Sequence, residues 1–174
     1  MQAWTGGREK SPAAICRKVA EVEACTEPFV PFVPQGRPQG KLLECDGGTI
    51  EVRGDGTAIR SYTYVADMVE GIYKLMHSGL EGPANIGCPQ YVSVVELVHT
   101  VVEVSGKKIH VRHVEGPVDV QSRNPSTDSG HRFSNARIYT TGWRANHFLE
   151  DGIAQTYPWI ESQVKKAQKE ARNS

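Results

Sequence analysis

The chain has 174 residues, of which 39% are hydrophobic, and its 20 lysines and arginines balance 20 aspartates and glutamates. This size predicts one soluble domain with a real core, and the absence of a basic excess excludes a general nucleic-acid-binding protein. No apolar run approaches the ~20 residues that span a membrane, and no signal-peptide pattern is visible. We therefore expect a cytoplasmic protein that binds neither nucleic acid nor membrane.

The first segment with strong local signals covers residues 6–18, which read Gly-Gly-Arg-Glu-Lys-Ser-Pro-Ala-Ala-Ile-Cys-Arg-Lys. Ser11 is a suitable N-cap and Pro12 a suitable first helical residue, and the apolar spacing that follows predicts a helix over 11–23. Four cationic side chains therefore cluster around the start of a helix, just after a glycine pair. Such a place favours an anion such as a diphosphate, although a solvated basic turn is the alternative.

Residues 24–47 are rich in proline and glycine, which predicts an extended inserted loop and leaves a proline-rich binding motif as an alternative. Two of the four cysteines, Cys25 and Cys45, flank this loop. They could form a disulfide in an oxidising compartment, whereas free thiols are expected in the cytoplasm. The cysteines and the six histidines show no metal-type spacing, so we expect no metal site.

The middle of the chain alternates between strand and helix patterns. Residues 49–53 and 60–65 have strand composition, and Gly54-Asp55-Gly56 predicts the turn between them. Asp67 is then the expected cap of a helix that ends near Gly79. Its apolar positions are Met68, Val69, Ile72, Leu75 and Met76. A short buried strand is predicted over 84–87.

The last third continues this alternation. Ser93 and Glu96 form a capping-box pattern before a helix that is apolar on most sides, which predicts a sandwiched helix. A strand follows over 109–113, then a polar surface loop or lid over 116–132 and a short helix over 134–140. A final helix is expected over 149–170, kinked at Pro158. Its buried stripe is Leu149, Ile153, Tyr157, Ile160 and Val164. The alternating elements indicate an α/β fold.

A dinucleotide site cannot be found in these residues. No glycine-rich turn of the G-x-G-x-x-G type follows a strand, and no Tyr-x-x-x-Lys pair is present. Tyr157 is the nearest candidate, but Glu161 stands where the lysine would be. The sequence alone therefore predicts no nicotinamide binding by this chain.

Two motifs nevertheless carry a resemblance to a known family. Residues 6–14 are similar to the Gly-Gly-Arg-Glu-Lys-Ala/Ser-Pro-Ala-Ala segment of the GDP-mannose 3,5-epimerases. Residues 54–67 resemble the Gly-x-Gly-x-x-x-Arg-x-Phe/Tyr-x-Tyr/Phe-Val/Ile-x-Asp segment of the NAD-dependent epimerase/dehydratase family, also called extended short-chain dehydrogenase/reductases. A further loop, 116–124, is similar to a Gly-Pro-x-Gly-Val-x-x-Arg-Asn loop of the same epimerases. In the family the dinucleotide-binding half comes first, so the chain resembles the carboxy-terminal half.

The resemblance implies roles for particular residues. Lys10 matches a lysine that acts as an acid in epimerisation, a role that requires desolvation. Glu9, Ser11 and Lys18 match substrate-contacting positions. Arg60 and Arg123 match arginines that contact the substrate phosphates, for which a guanidinium fork is well suited. A surface arginine is the alternative for each of these two.

We therefore expect an α/β fold with a small mixed sheet and flanking helices. It would form the substrate-binding half of an extended short-chain dehydrogenase/reductase, without the complete Rossmann domain. The chain is interpreted as one domain, 1–174, with 24–47 as an insertion. The resemblance implies a sugar nucleotide such as GDP-mannose as substrate and NAD as the cofactor of the complete enzyme, which epimerises the hexose through a 4-keto intermediate.

For the isolated chain we expect no hydride chemistry and hence no complete activity. Strands without neighbours and apolar faces predict a homodimer or a complex with a separately encoded amino-terminal half. The alternative function is a non-catalytic module that binds a nucleotide sugar or serves only as an interaction scaffold.

Overall fold

A computed structural model of the chain describes residues 10–22, 48–54, 56–114 and 133–173. Its elements in chain order are α1 (Ser11–Glu21), β1 (Thr49–Arg53), β2 (Ile59–Arg60), α2 (Val65–Met76), β3 (Val92–Ser93), α3 (Val94–Ser105), β4 (His110–Val114), α4 (Ala136–Tyr139) and α5 (Leu149–Arg172). The expected α/β class, with small sheets and flanking helices, is confirmed. The interpretation of 1–174 as one domain stays a prediction.

Three helices, α1, α3 and α5, pack against one another and enclose the core. Helix α5 buries the stripe that its periodicity predicts, and the capping box at Ser93 and Glu96 starts α3 as expected. Burial of each large apolar side chain contributes about 1.5–3 kcal/mol, so this three-helix contact is a major source of stability. The core includes Ile15, Cys16, Val19, Ile50, Val52, Leu97, Val98, Val101, Ile153, Tyr157, Ile160 and Val164.

The described strands form two separate two-stranded sheets rather than one mixed sheet. Strands β1 and β4 pair in parallel, with Thr49 opposite His110. Strands β2 and β3 pair antiparallel, with Arg60 opposite Val92. Parallel and antiparallel pairing therefore both occur, as a mixed arrangement requires, but in different ladders.

Helix α2 is oriented differently from what its apolar pattern suggests. It turns Asp67 and Gly71 inward, and a Cβ on Gly71 would lie 2.6 Å from Ile86 and 3.1 Å from the Trp143 ring. Only a residue without a side chain permits this close approach to the tryptophan. The larger apolar residues consequently face outward, and they are Val65, Val69, Ile72, Tyr73 and Met76.

Several predicted boundaries are wrong. Lys10, not Ser11, is the N-cap of α1, and Tyr64, not Asp67, is the N-cap of α2. The strand expected over 60–65 is only the two-residue β2, because the chain leaves the ladder after Arg60.

The strand expected over 84–87 is not formed. Side-chain amides satisfy backbone carbonyls around this segment instead of a neighbouring strand: the Asn135 amide donates to the Gly87 carbonyl and the Asn85 amide to that of Ser134.

Some predictions concern residues outside the described ranges, and the predicted kink of α5 stays a prediction. The loop 24–47, with Cys25 and Cys45, and the whole loop 116–132 lie outside the described residues. Helix α5 continues through Pro158, and the kink expected there stays a prediction.

Candidate functional site

The first turn of α1 forms one side of the candidate site. Lys10 and Ser11 are exposed, and no side chain caps the helix at Lys10. The first N–H groups of a helix have no intrahelical acceptor and carry a partial positive charge. Pro12 has no N–H, so the donors here are the lysine ammonium, the serine hydroxyl and the N–H groups of Ser11 and Ala13. This turn is therefore suited to an anionic oxygen.

Arg60 lies on the other side, at the end of β2. Its side chain is half-buried, and NH1 donates to the carbonyl of Ile59 at 2.7 Å. The guanidinium is close enough to the Tyr62 hydroxyl to lower the pKa of that phenol by its charge. The Ser11 hydroxyl also lies near this phenol and lowers its pKa. Tyr62 thus links the arginine to the start of α1.

Tyr62 was missed by the sequence analysis. Its hydroxyl is buried and finds no acceptor or donor in hydrogen-bonding geometry among the described residues. Burial raises the pKa of this phenol above its usual value, and the Ser11 hydroxyl and the Arg60 charge act in the opposite direction. The alternation of Arg60 and Tyr62 was the only signal available, since residues two apart in an extended segment face the same side.

Lys18 is placed differently from the other candidates. It lies two turns along α1, and its ammonium donates to the backbone carbonyl of Glu51 on β1 at 3.0 Å. In this structure it ties α1 to the parallel sheet. The structure therefore brings Ser11, Tyr62 and Arg60 together, and Lys10 directly precedes Ser11. Lys18 is instead directed towards β1. Glu9 and Arg123 lie outside the described residues.

The segment that carries Arg60 and Tyr62 is anchored by backbone contacts with Cys88. The Ser61 hydroxyl donates to the Cys88 carbonyl at 2.7 Å, and the Cys88 N–H donates to the Thr63 hydroxyl at 2.9 Å. Two bonds on alternate residues fix the extended backbone between them. The intervening Tyr62 therefore has a defined direction.

A buried carboxylate holds the helix that follows. Asp67 accepts hydrogen bonds from the N–H groups of Asn146 and His147 at 3.1 and 2.9 Å, and from His147 Nδ1 at 2.8 Å. The Trp143 indole donates to the Asp67 backbone carbonyl at 2.9 Å. These contacts connect the start of α2 to the turn before α5. Asp67 is fully engaged, so we assign it a structural role.

Lys107 fixes the other end of α1. Its ammonium donates to the carbonyls of Val19, Ala20 and Val22 at 2.9, 3.0 and 2.9 Å. These are among the terminal carbonyls that a helix leaves without intrahelical donors. Burial lowers the pKa of Lys107, and the nearby Glu161 carboxylate counteracts this effect. With α1 secured at its C-terminal end, its first turn keeps a fixed direction.

A cleft of about 350 Å³ lies between the starts of α3 and α5. It contains the carboxylates Glu96 and Glu150, which disfavour a phosphate group by like charge. Hydrogen bonds from Ser93 keep the pKa of Glu96 low, so its negative charge persists at neutral pH. The lining residues are Gln90, Val92, Glu96, His99, Thr100, Leu149 and Glu150. This cleft is therefore poorly suited to a phosphate group.

Neither a dinucleotide-binding turn nor a cluster of metal ligands is present among the described residues. Gly54 and Gly56 have positive φ and follow β1, but the chain then enters β2 instead of a helix whose N-terminus could hold a pyrophosphate. No group of three histidine, cysteine or acidic side chains within the described ranges converges as metal ligands do. Over the same residues, no helix combines the length and apolarity needed to cross a bilayer.

Comparison of the sequence with known proteins identifies sugar-nucleotide enzymes. The chain is 33% identical over 163 residues to GDP-mannose 3,5-epimerase of Arabidopsis thaliana, covering 94% of this chain and 35% of that protein. It is 34% identical over 108 residues to UDP-glucuronic acid decarboxylase 3 of the same plant, covering 62% of this chain and 30% of that protein. The chain thus spans about a third of the length of these curated relatives. No family model matches it.

Solved structures share the fold at low identity. A UDP-glucose 4-epimerase from Thermotoga maritima, solved with UDP-glucose, superimposes with a TM-score of 0.64 and 18% identity over 91% of this chain and 41% of that one. A UDP-glucose 4-epimerase from Thermus thermophilus, solved with NAD, gives 0.57 and 21% over 90% of this chain and 43% of that one. At such identity the likeness concerns the fold alone.

Proposed function

Because the chain belongs to the NAD-dependent epimerase/dehydratase family, we propose that it binds the diphosphate of a sugar nucleotide such as GDP-mannose, as part of an enzyme that epimerises the hexose. The observation that carries this proposal is the convergence of donors from α1 and β2. Ser11 and Arg60 flank one phenol although they are 49 positions apart in the sequence. A set made only of donors and cations is complementary to phosphate oxygens.

The residues of this site have different proposed roles. Arg60 provides a planar fork that pairs with two phosphate oxygens at once. Ser11 and the first N–H groups of α1 donate to the same diphosphate from the helix side. Glu9 and Arg123 are assigned substrate contacts by the family motif alone. Lys18 reaches a substrate only by releasing the Glu51 carbonyl, so its contribution in the free protein is to hold α1.

Lys10 is proposed as the acid that protonates the sugar during epimerisation. It directly precedes Ser11, so a diphosphate bound at Ser11 would place the attached sugar near the lysine. Lys10 is exposed in the described chain, whereas an acid of this kind needs a desolvated environment. The remaining part of a complete enzyme would have to supply that cover, together with the NAD that oxidises the hexose. We therefore propose that the chain alone binds substrate without turning it over.

Calorimetric titration with GDP-mannose and with UDP-glucose tests this function. We expect micromolar binding of at least one ligand, weakened at least about tenfold by Arg60→Ala, since a charge-assisted hydrogen bond contributes about 1.5–3 kcal/mol. Arg112→Ala is the matched control, because Arg112 is an exposed arginine that pairs with Glu51 on the parallel sheet. Absence of binding, or equal weakening by both substitutions, would refute the proposal.

A partner is proposed for the outward face of α2. Val65, Val69, Tyr73 and Met76 are 60–76% exposed, and Ile72 is 46% exposed. A helix that buries one face and leaves a second apolar face uncovered is typical of an interface. The partner would be a second copy or a separately encoded dinucleotide-binding half. The same surface supports the alternative function, a non-catalytic interaction module.

Sedimentation of the chain, alone and mixed with a dinucleotide-binding domain of the family, tests this interface. Association should be lost in a Tyr73→Glu, Met76→Glu variant and kept in Trp159→Glu, because Trp159 is 53% exposed on a different helix. A compact monomer in every mixture would contradict the proposed partner.

A further inference from the structure

The hydroxyl of Tyr62 is buried without a hydrogen-bond partner among the described residues. The ring packs against the hydrophobic core, while the oxygen is shielded from solvent and makes no hydrogen bond among the described residues. Buried polar atoms are nearly always paired, because an unpaired one costs more than a normal hydrogen bond contributes. Phenylalanine would fill the same space without this cost, so the oxygen needs another explanation.

Two functional groups act on this oxygen. One is the Ser11 hydroxyl at the start of α1, and the other is the Arg60 guanidinium at the end of β2. Burial raises the pKa of Tyr62, so the phenol keeps its proton at neutral pH and is available as a donor. An arginine has no acceptor, which leaves the serine oxygen as the natural recipient of that proton.

We propose that Tyr62 is a positioning residue for Ser11: when a diphosphate is bound, the phenol donates to Ser11 Oγ and thereby aims the serine proton at a phosphate oxygen. This inference rests on the proposed function. A serine hydroxyl rotates freely and both donates and accepts, so a donor behind it selects the rotamer that faces the ligand. Hydrogen bonds arranged in such a chain also polarise and strengthen one another.

The shielding of the phenol explains why it acts through Ser11 instead of touching the ligand. Ser11 is exposed, whereas the Tyr62 hydroxyl is shielded from solvent. Without a ligand, an exposed serine hydroxyl can bond to water and its proton can rotate among several directions. A bound phosphate oxygen accepts the serine proton and fixes Oγ, which completes the bond from Tyr62.

Titration with inorganic pyrophosphate at low salt, combined with thermal unfolding, tests this arrangement in the full chain. The variants are Tyr62→Phe, Ser11→Ala and the double substitution. Tyr64→Phe is the matched control, because Tyr64 is a half-buried tyrosine of the same segment whose hydroxyl donates to Gln155 at 3.0 Å. Each variant is first melted without ligand to measure its stability.

We expect Tyr62→Phe to bind pyrophosphate about three- to tenfold more weakly while melting no lower than the unaltered chain. Ser11→Ala should lose a similar factor, and the double variant should lose no more than Ser11→Ala alone. Tyr64→Phe should bind as the unaltered chain does. A purely structural tyrosine would instead lower the melting temperature and leave binding unchanged.

The proposal is overturned if Tyr62→Phe binds pyrophosphate normally, or if its loss is the same with and without the Ser11 hydroxyl. These results leave the anion site itself intact. If the unaltered chain does not bind pyrophosphate, the proposed function fails and this inference fails with it. The two failures are therefore separated by the first titration in the series.

Discussion

Replacing Asp67 by asparagine should strongly destabilise the fold while preserving its shape. The carboxylate is almost fully buried and accepts three hydrogen bonds, from two backbone N–H groups and from His147 Nδ1. Asparagine has the same size, but its amide nitrogen would face a donor. Hydrogen bonds to a charged acceptor contribute about 1.5–3 kcal/mol each, and disrupting a buried charged network costs about 3–5 kcal/mol. We expect a loss of about 3 kcal/mol.

Urea unfolding measures this loss directly, and thermal unfolding should show a decrease of about 6–12 °C for a protein of this size. Asp151→Asn is the matched control. Asp151 is an exposed aspartate in the first turn of α5, where it accepts the N–H of Phe148 at 3.0 Å. Loss of such a cap costs about 1 kcal/mol. Equal losses for the two variants would refute the structural role that we assign to Asp67.

Three further predictions concern other buried groups. Lys107→Met should cost about 2 kcal/mol in urea unfolding, because three carbonyls at the end of α1 lose their donor. Burial raises the pKa of Cys16 to about 12, and burial also raises that of Cys88, so a thiol reagent at pH 8 should label both only after unfolding. Burial raises the pKa of Tyr157 to about 12, and its protonated form is favoured in the folded state. Its contribution to stability should therefore hold below about pH 10 and be lost as the pH rises towards 12, a dependence that Tyr157→Phe removes.

The helices with a single apolar face were predictable from the sequence. The stripe of α5 follows from its period alone, and the start of α3 follows from the local pairing of Ser93 with Glu96. In both cases the determining interactions lie within a few residues. The periodic pattern of α1 likewise predicts its extent to within two residues.

Helix α2 was not predictable in the same way. Its inward face is defined by Trp143 and His147, which are more than 70 positions away, and they select an aspartate and a glycine instead of the apolar residues. Hydrophobic periodicity identifies a face but not the neighbour that covers it. The 84–87 segment is not a strand for a related reason: its hydrogen bonds run to a distant part of the chain, from the Asn135 amide to the Gly87 carbonyl and from the Asn85 amide to the Ser134 carbonyl.

The candidate site, too, was predictable from the sequence only in part. Ser11 and Arg60 were identified by motif, but their proximity depends on the packing of α1 and on the anchoring of 60–64. Tyr62 can be recognised as a functional candidate only from the structure. Its hydroxyl is buried without a hydrogen-bond partner, and Ser11 and Arg60 both influence its pKa. A buried unsatisfied atom is a property of the tertiary structure, and no sequence pattern reports it.

Comparison of GDP with guanosine in one calorimetric titration shows whether the site formed by Ser11 and Arg60 binds a diphosphate. The two ligands share the base and the ribose and differ only in the diphosphate. We predict that GDP binds at least about tenfold more tightly than guanosine, that added salt reduces this advantage, and that Arg60→Ala removes most of it. Equal binding of the two ligands, or an advantage of GDP that survives Arg60→Ala, would show that Ser11 and Arg60 do not bind the diphosphate.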